Sequence, residues 1–392
     1  MLFDKKSRTY IGPKFYFESE FDYLNRSGRK VCERIRCLLE DWLSHYPTDK
    51  KKELINRVRN SDDIGYFSAF FELYLHELLL NLRYQVEIHS NLKEESTHPE
   101  FLVTRDKKKI FILEATLALS SQDEIAAEKR ENVVYDTINK MDSPNFFIGL
   151  EMRGTPNTPV PGAKWRRFLG GKISKLNPDQ VASLLEIGGL KALPRWRRTH
   201  DGWDITFVAI PKSPKARGKK GIRPIGYKTF RFRKLEEHEY IRKAIKEKAT
   251  KYGELNLPYI IAINVMSIFK DDAFIKDALF GREGIMAFRK PDGTFVHRPE
   301  RSPNGIWRGP KGPQNTRNSA VLISWYLLPR NVVKETPILW HNPWAKNSLG
   351  ENIWPLPQRK INKQSGSIET KEGINAGKVF NLPDNWPMID DH

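Results

Sequence analysis

Apolar residues recur at helical spacing early in the chain, where Val31, Ile35, Leu38, Leu39, Trp42 and Leu43 mark one face. Tyr46-Pro47 interrupts that pattern and Leu54 and Val58 resume it, so residues 28–58 predict a helical lead-in. A second helix is predicted from Asp63 to Arg83. It is apolar nearly all round, as suits a helix packed centrally against a sheet, and it carries Glu72. The period then shortens to that of strands at Tyr84–Ile88, Phe101–Val103 and Ile110–Ala118, the last two joined by the polar turn Thr104–Lys109. A helix over Gln122–Met141 and a strand over Phe146–Met152 follow. Helix, three strands, helix, strand is an α/β order, and it predicts a mixed β-sheet core flanked by helices.

Beyond Gly154 the pattern predicts a helical piece at Pro178–Ile187, a strand at Trp203–Ile210 and an amphipathic helix at Glu236–Tyr252. Tyr259–Met266 and Ala320–Leu328 are almost continuous apolar runs, the mark of strands buried on both faces. Connections rich in Gly, Pro and Arg separate these pieces, and connections of such length are commonly functional. The expected organisation is a helical lead-in over 1–62, a core over 63–153, and a C-terminal sheet extension with basic loops over 154–392. No internal repeat or heptad run is present.

Composition narrows the class. With 392 residues, 39% of them hydrophobic, and ten Trp and twenty-one Phe, the chain has too much apolar material for a disordered protein and is too long for a stapled mini-scaffold. Sixty-six Lys and Arg against forty-eight Asp and Glu leave +18, which points to a polyanionic partner first and an anionic membrane surface second. Cys32 and Cys37, five apart in a predicted helix, are not placed to form a bridge. Asp4, Lys5, Lys6 and Arg8 are not followed by an apolar stretch, and no window of about 18 residues is apolar enough to span a membrane. A cytoplasmic protein with no membrane partner is therefore expected.

The charge is concentrated in the connections. Residues 211–234 hold ten Lys or Arg and no acid, interleaved with Tyr227, Phe230 and Phe232. This favours contact with a phosphate backbone over a merely solvated run, and marks Lys215, Arg217, Lys219, Lys220, Arg223, Lys228, Arg231 and Arg233 as candidate nucleic-acid-binding residues. A second basic connection, residues 282–317, holds eight basic residues against three acids.

Glu72, Glu100 and Glu114 carry the candidate chemistry. Glu114 interrupts a run, Ile110–Ala118, that otherwise belongs in a core, and a carboxylate there is costly to bury unless it is paired or holds a cation. Alternation along a strand puts Glu114 and Thr116 on one face. Glu100 follows Pro99 at the start of the preceding strand, and a hairpin would bring it beside Glu114. Oxygen ligands without Cys or clustered His select Mg²⁺ or Mn²⁺ rather than zinc. Such an ion lowers the pKa of bound water and stabilises charge on a phosphoryl oxygen, both of which a nuclease needs. Glu72 is a third acid, a lone charge on the helical face of Ala69, Leu75, His76 and Leu79.

A glutamate in the first core helix, then Pro99-Glu100 and Glu114-Ala115-Thr116 on successive strands, then a helix and a fourth strand, resembles the PD-(D/E)XK superfamily of restriction-like nucleases. The resemblance covers residues 63–152. It implies a restriction-endonuclease-like fold, Glu100 and Glu114 as metal ligands for Mg²⁺ or Mn²⁺, and Glu72 as an accessory acid. It also implies hydrolysis of DNA phosphodiester bonds, in restriction or defence against foreign DNA. Glu100 stands where the family more often has aspartate. Thr116 stands where the family has the lysine that orients the attacking water, so a positive charge is expected from elsewhere. Lys129 and Arg130, on or beside the apolar stripe of the following helix, are the candidates.

His98 beside Pro99, His200-Asp201-Gly202-Trp203, His341-Asn342-Pro343-Trp344 and Pro291-Asp292-Gly293 read as loops or turns. No phosphate-cradling glycine loop or nucleophile elbow is present. The alternative reading is a non-catalytic nucleic-acid-binding protein on a degenerate nuclease scaffold. RNA remains open beside DNA as partner, as do a homodimer and partner subunits.

Overall fold

The computed structural model describes residues 1–60, 62–89, 99–219, 222–229, 236–362 and 367–388. The chain divides into two compact units: one comprises residues 1–12, 19–120 and 236–392, the other residues 13–18 and 121–235.

The larger unit begins with α1 (Glu20–Arg26), α2 (Lys30–His45), α3 (Thr48–Asn60) and α4 (Asp63–Asn81), followed by β1 (Gln85–Ile88), β2 (Phe101–Arg105) and β3 (Lys108–Ala118). Asp62 caps α4, its side chain accepting from the Gly65 N–H. The chain then leaves for the second unit, which holds α5 (Gln122–Asn139), β4 (Phe146–Gly154), α6 (Gly162–Ile173), α7 (Pro178–Gly188), β5 (Arg195–His200), β6 (Trp203–Pro211) and β7 (Ile225–Lys228). It returns to the larger unit with α8 (Glu237–Ala249), β8 (Tyr259–Val265), α9 (Asp272–Phe280), β9 (Glu283–Arg289), β10 (Phe295–Arg301), β11 (Arg308–Gly309), β12 (Gly312–Pro313), β13 (Asn318–Trp325), β14 (Ile338–His341), β15 (Gln358–Ile361), β16 (Ile368–Lys371) and α10 (Ala376–Val379).

Eight strands of the larger unit form one sheet, in the order β1-β2-β3-β8-β13-β14-β15-β16. β1, β2 and β3 are antiparallel neighbours, whereas β3, β8 and β13 run parallel. Of these, β8 and β13 are buried along their whole length, as the continuous apolar runs predicted. Alternation sorts the side chains of β3. Phe111 and Leu113 pack with α4, while Ile112 and Ala118 join Ile241 and Ile245 of α8 and Ile275 of α9 on the other face. The unit is thus a mixed sheet between two helical layers, an α/β architecture.

The predicted order of helix, three strands, helix and strand occurs within this unit, with α8 and β8 in its last two places. α5 and β4, expected there, belong to the second unit, where β4 lies in a separate four-stranded sheet of order β5-β6-β4-β7. The compact units therefore cut across the expected boundaries at 62 and 153. Periodicity reports an element's type and exposure but not which sheet a strand joins. In the second unit β4 pairs antiparallel with β6 over Phe146–Gly154, and α5 and α6 supply Val134, Ile138, Trp165 and Leu169 to its core. Gly149 of β4 lets the Tyr227 ring of β7 lie over the strand, since a Cβ there would fall 2.3 Å from the ring.

The basic connection 282–317 is not a plain loop. It contains the β9–β10 hairpin, turning at Pro291-Asp292-Gly293 with Gly293 at φ +84°, and the short β11–β12 pair. Cys32 and Cys37 are free thiols. No helix among the described residues is long and apolar enough to cross a membrane.

Candidate functional site

β2 and β3 place the two carboxylates together. Phe101 faces Leu113 in the antiparallel register, so Glu100 and Glu114 occupy the next opposed positions. The Glu100 N–H donates to Glu114 Oε1 at 3.1 Å, and the Ala115 N–H donates to Glu100 Oε2 at 2.5 Å. Both side chains belong to the face covered by α8. Glu114 is fully buried, and Glu100 keeps 21% of its side chain exposed.

The cations come from the end of α8. Lys248 Nζ lies 3.0 Å from Glu100 Oε1 and 2.9 Å from Glu114 Oε2, bridging the pair. Lys251 Nζ donates to Glu114 Oε1 at 2.8 Å, and the Tyr252 hydroxyl donates to the same oxygen. Tyr259 of β8 fixes the end of α8 by donating to the Lys248 carbonyl at 3.0 Å. Arg317 donates to the Tyr252 and Gly253 carbonyls just beyond.

Burial pushes the Glu100 carboxyl above its ordinary pKa; Lys248 opposes the rise and Glu114 adds to it. Burial acts on Glu114 in the same sense, but Lys248, Lys251 and Tyr252 outweigh it and hold that carboxyl below the usual range. Desolvation works against the Lys248 ammonium, yet Glu100 and Glu114 outweigh desolvation and raise its pKa. Glu114 is accordingly the firm anion, Lys248 the firm cation, and Glu100 the member of the set closest to accepting a proton.

Glu72 has a different setting. It lies on α4, the helix over the opposite sheet face, where Tyr46 donates to Oε1 and Arg57 Nη1 lies 2.6 Å from Oε2. Burial works against the Arg57 charge, but Glu72, with Glu100 as a further contributor, raises its pKa. Thr116 shares the Glu114 face, half-buried, as alternation predicted. Arg130 Nε donates to the Pro156 carbonyl at 2.6 Å, and Lys129 and Arg130 both lie on α5 in the second unit. The lysines that contact the carboxylates are instead Lys248 and Lys251. Their signal was present: Ile241, Ala244 and Ile245 form the buried stripe of α8, and Lys248 falls on it at helical spacing.

Among the described residues no group of three or more His, Cys, Asp or Glu could hold a metal ion. The pair itself fits a hard divalent ion. Two carboxylates already share one cation between them, and oxygen donors of this kind suit Mg²⁺ or Mn²⁺.

The candidate nucleic-acid residues of 211–234 are used in several ways. Lys215 and Lys219 are exposed. Arg217 pairs with Asp179 at 2.7 Å, Arg223 donates to the Pro13 and Lys14 carbonyls, and Lys228 lies over the Tyr16 and Tyr135 rings. Lys212 is buried, donating to the Ser143 carbonyl. Lys220, Arg231, Arg233 and the loop residue His98 lie outside the described residues. His200 contacts Thr158, and His341 is buried against Gln358. No family model, curated protein or solved structure matches the chain.

Proposed function

We propose that the chain is a metal-dependent endonuclease of the restriction-like type, hydrolysing DNA phosphodiester bonds at the Glu100–Glu114 pair. One observation carries the reading: two carboxylates on adjacent strands share a lysine ammonium at 3.0 and 2.9 Å in a largely buried site. Glu100 and Glu114 would hold Mg²⁺ or Mn²⁺, which when bound supplies an activated water and neutralises phosphoryl charge. Lys248 supplies the charge that Thr116 lacks. Its ammonium, held at the pair by Glu100 and Glu114, would offset negative charge developing in the transition state. Lys251 and Tyr252 hold Glu114 in one rotamer, and Arg57 adds positive potential next to Glu100. Restriction or defence in the cytoplasm belongs to the same reading, through the resemblance to the family.

A second reading, a nucleic-acid-binding protein without catalysis, draws on a specific feature. All four oxygens of the pair already accept from protein donors, so the cluster is satisfied without an ion. Incubating supercoiled plasmid with Mg²⁺, Mn²⁺ or EDTA separates the two. Cleavage that needs the ion and disappears in Glu114→Gln is expected; intact plasmid in every metal would leave the binding reading.

A further inference from the structure

The second unit carries 24 Lys or Arg against 12 Asp or Glu, a net +12 of the chain's +18. Among the described residues of the run 211–234, Lys212, Arg217, Arg223 and Lys228 are tied to this unit's own acids, carbonyls and rings. A different surface keeps its charge free. Residues 160–178, which include α6, hold five basic residues and no acid, and β5 reads Arg195-Trp196-Arg197-Arg198-Thr199-His200.

On α6 the side chains sort cleanly. Trp165, Leu169 and Ile173 enter the core, while Lys164, Arg167 and Lys172 are exposed, with Lys175 just past the helix end. At 100° per residue these four fall on one side of the helix axis, around Phe168. β5 joins them: the Arg198 guanidinium lies 3.7 Å from the Phe168 ring centroid, and the Lys172 ammonium lies 5.8 Å from it. Ion pairs of this unit include Arg195–Glu151, Arg197–Asp204 and Arg217–Asp179. Among the described residues, Lys164, Arg167, Lys172, Lys175 and Arg198 have no carboxylate within ion-pair distance.

We propose that the α6–β5 surface of the second unit is a binding site for a nucleic-acid phosphate backbone. It rests on the reading of the chain as a DNA-acting protein, and adds to it a gripping surface built from residues other than the acid pair and the run 211–234. Lys164 to Lys175 spans about 16 Å of helix axis. That matches about five base-pair steps of duplex at about 3.4 Å each. Phosphate oxygens would take the place of the missing carboxylates, and release of condensed counterions would supply the driving force. The half-buried Phe168 beneath Arg198 and Lys172 holds both cations in place. An anionic membrane fits less well, because no large apolar side chain of α6 is exposed to enter a headgroup region.

The test is fluorescence anisotropy of a labelled duplex with the full chain in EDTA, from about 50 to about 200 mM salt. The wild type is compared with Lys164→Ala/Arg167→Ala/Lys172→Ala, whose exposed positions leave the core intact and whose melting curve verifies the fold. The slope of log K against log salt should be shallower by about 2 to 3, with affinity lowered at least about tenfold at the low-salt end. Glu114→Gln should bind with the wild-type slope, so failure of cleavage and failure of this surface are read separately. Unchanged slope and affinity in the triple variant overturn the proposal. So does loss in that variant of binding to anionic phosphatidylserine vesicles by a protein that does not bind the duplex.

Discussion

Lys248 in the larger unit touches two carboxylates at 3.0 and 2.9 Å, whereas Lys164 and Lys172 in the inserted unit touch none among the described residues. The residue type is the same and the consequence is opposite. In the larger unit the cation is three-quarters covered and matched to anions on two strands, so its charge is held in a fixed geometry where removing a partner is costly. On α6 the cations stand in water, cost little to keep and are worth little to stability, but together they make a field that a polyanion can use. Within the inserted unit the same contrast recurs on a smaller scale. Arg217 and Arg223 of the acid-free run are engaged internally, while the α6 residues, which sequence reading did not single out, are free. A run of charge in a sequence shows net sign; whether it faces a partner depends on what the fold places next to it.

The largest expected effect is at the buried pair. Glu114→Ala should lower cleavage by a thousandfold or more, since loss of several kcal/mol of charge stabilisation costs about a decade per 1.36 kcal/mol. It should also destabilise the fold by about 3 kcal/mol, because Lys248 and Lys251 lose a buried counterion. A variant apoprotein that melts at the wild-type temperature would show that the buried pair does not hold Lys248 and Lys251 at a cost to the fold.

Lys248→Ala should slow single-turnover cleavage by about two orders of magnitude, the scale of one preorganised donor, while Lys129→Ala and Arg130→Ala cut at the wild-type rate. Equal rates for Lys248→Ala and wild type would return the search for the missing charge to the rest of the chain.

Arg217→Ala and Arg223→Ala should act on the melting temperature by a few degrees and leave the salt slope of duplex binding nearly unchanged, whereas Lys215→Ala/Lys219→Ala should do the reverse. A large slope change from Arg217→Ala alone would show that its pairing with Asp179 yields to DNA.

The smallest effect probes a charge that the larger unit excludes. His76 of α4 is buried beside Tyr46, its Nδ1 has no hydrogen-bond partner, and burial, with His45 nearby, pushes its pKa down to about 4. The unfolded chain then binds more protons than the native state between the ordinary value of 6.5 and about 4. Stability should therefore rise with pH across that window and be lost on acidification, by on the order of 1–3 kcal/mol. Melting curves of His76→Leu should show a flatter dependence over the same range.

Much of the larger unit was legible because its signals are local. The all-round apolar α4, the Glu100–Glu114 juxtaposition and the doubly buried β8 and β13 follow from period, a short turn and continuous apolar runs. The insertion was not legible, since α5 and β4 have sound helix and strand patterns and nothing in a period says that the chain has left one sheet for another. Lys129 and Arg130 lie on the helix that follows β3 in sequence, whereas the lysine in contact with Glu100 and Glu114 is Lys248, at the end of α8. Ion pairing was equally invisible, because Asp179 is 38 residues from Arg217 along the chain.

Titrating Mn²⁺ into wild type, Lys248→Ala and Glu114→Gln, with free ion followed by electron paramagnetic resonance, asks whether Glu100 and Glu114 form a metal site. The ammonium between the carboxylates competes for the position a divalent ion would take, so Lys248→Ala should bind Mn²⁺ more tightly than wild type and Glu114→Gln much more weakly. Absence of specific Mn²⁺ binding in both wild type and Lys248→Ala would contradict the claim that Glu100 and Glu114 form a metal site.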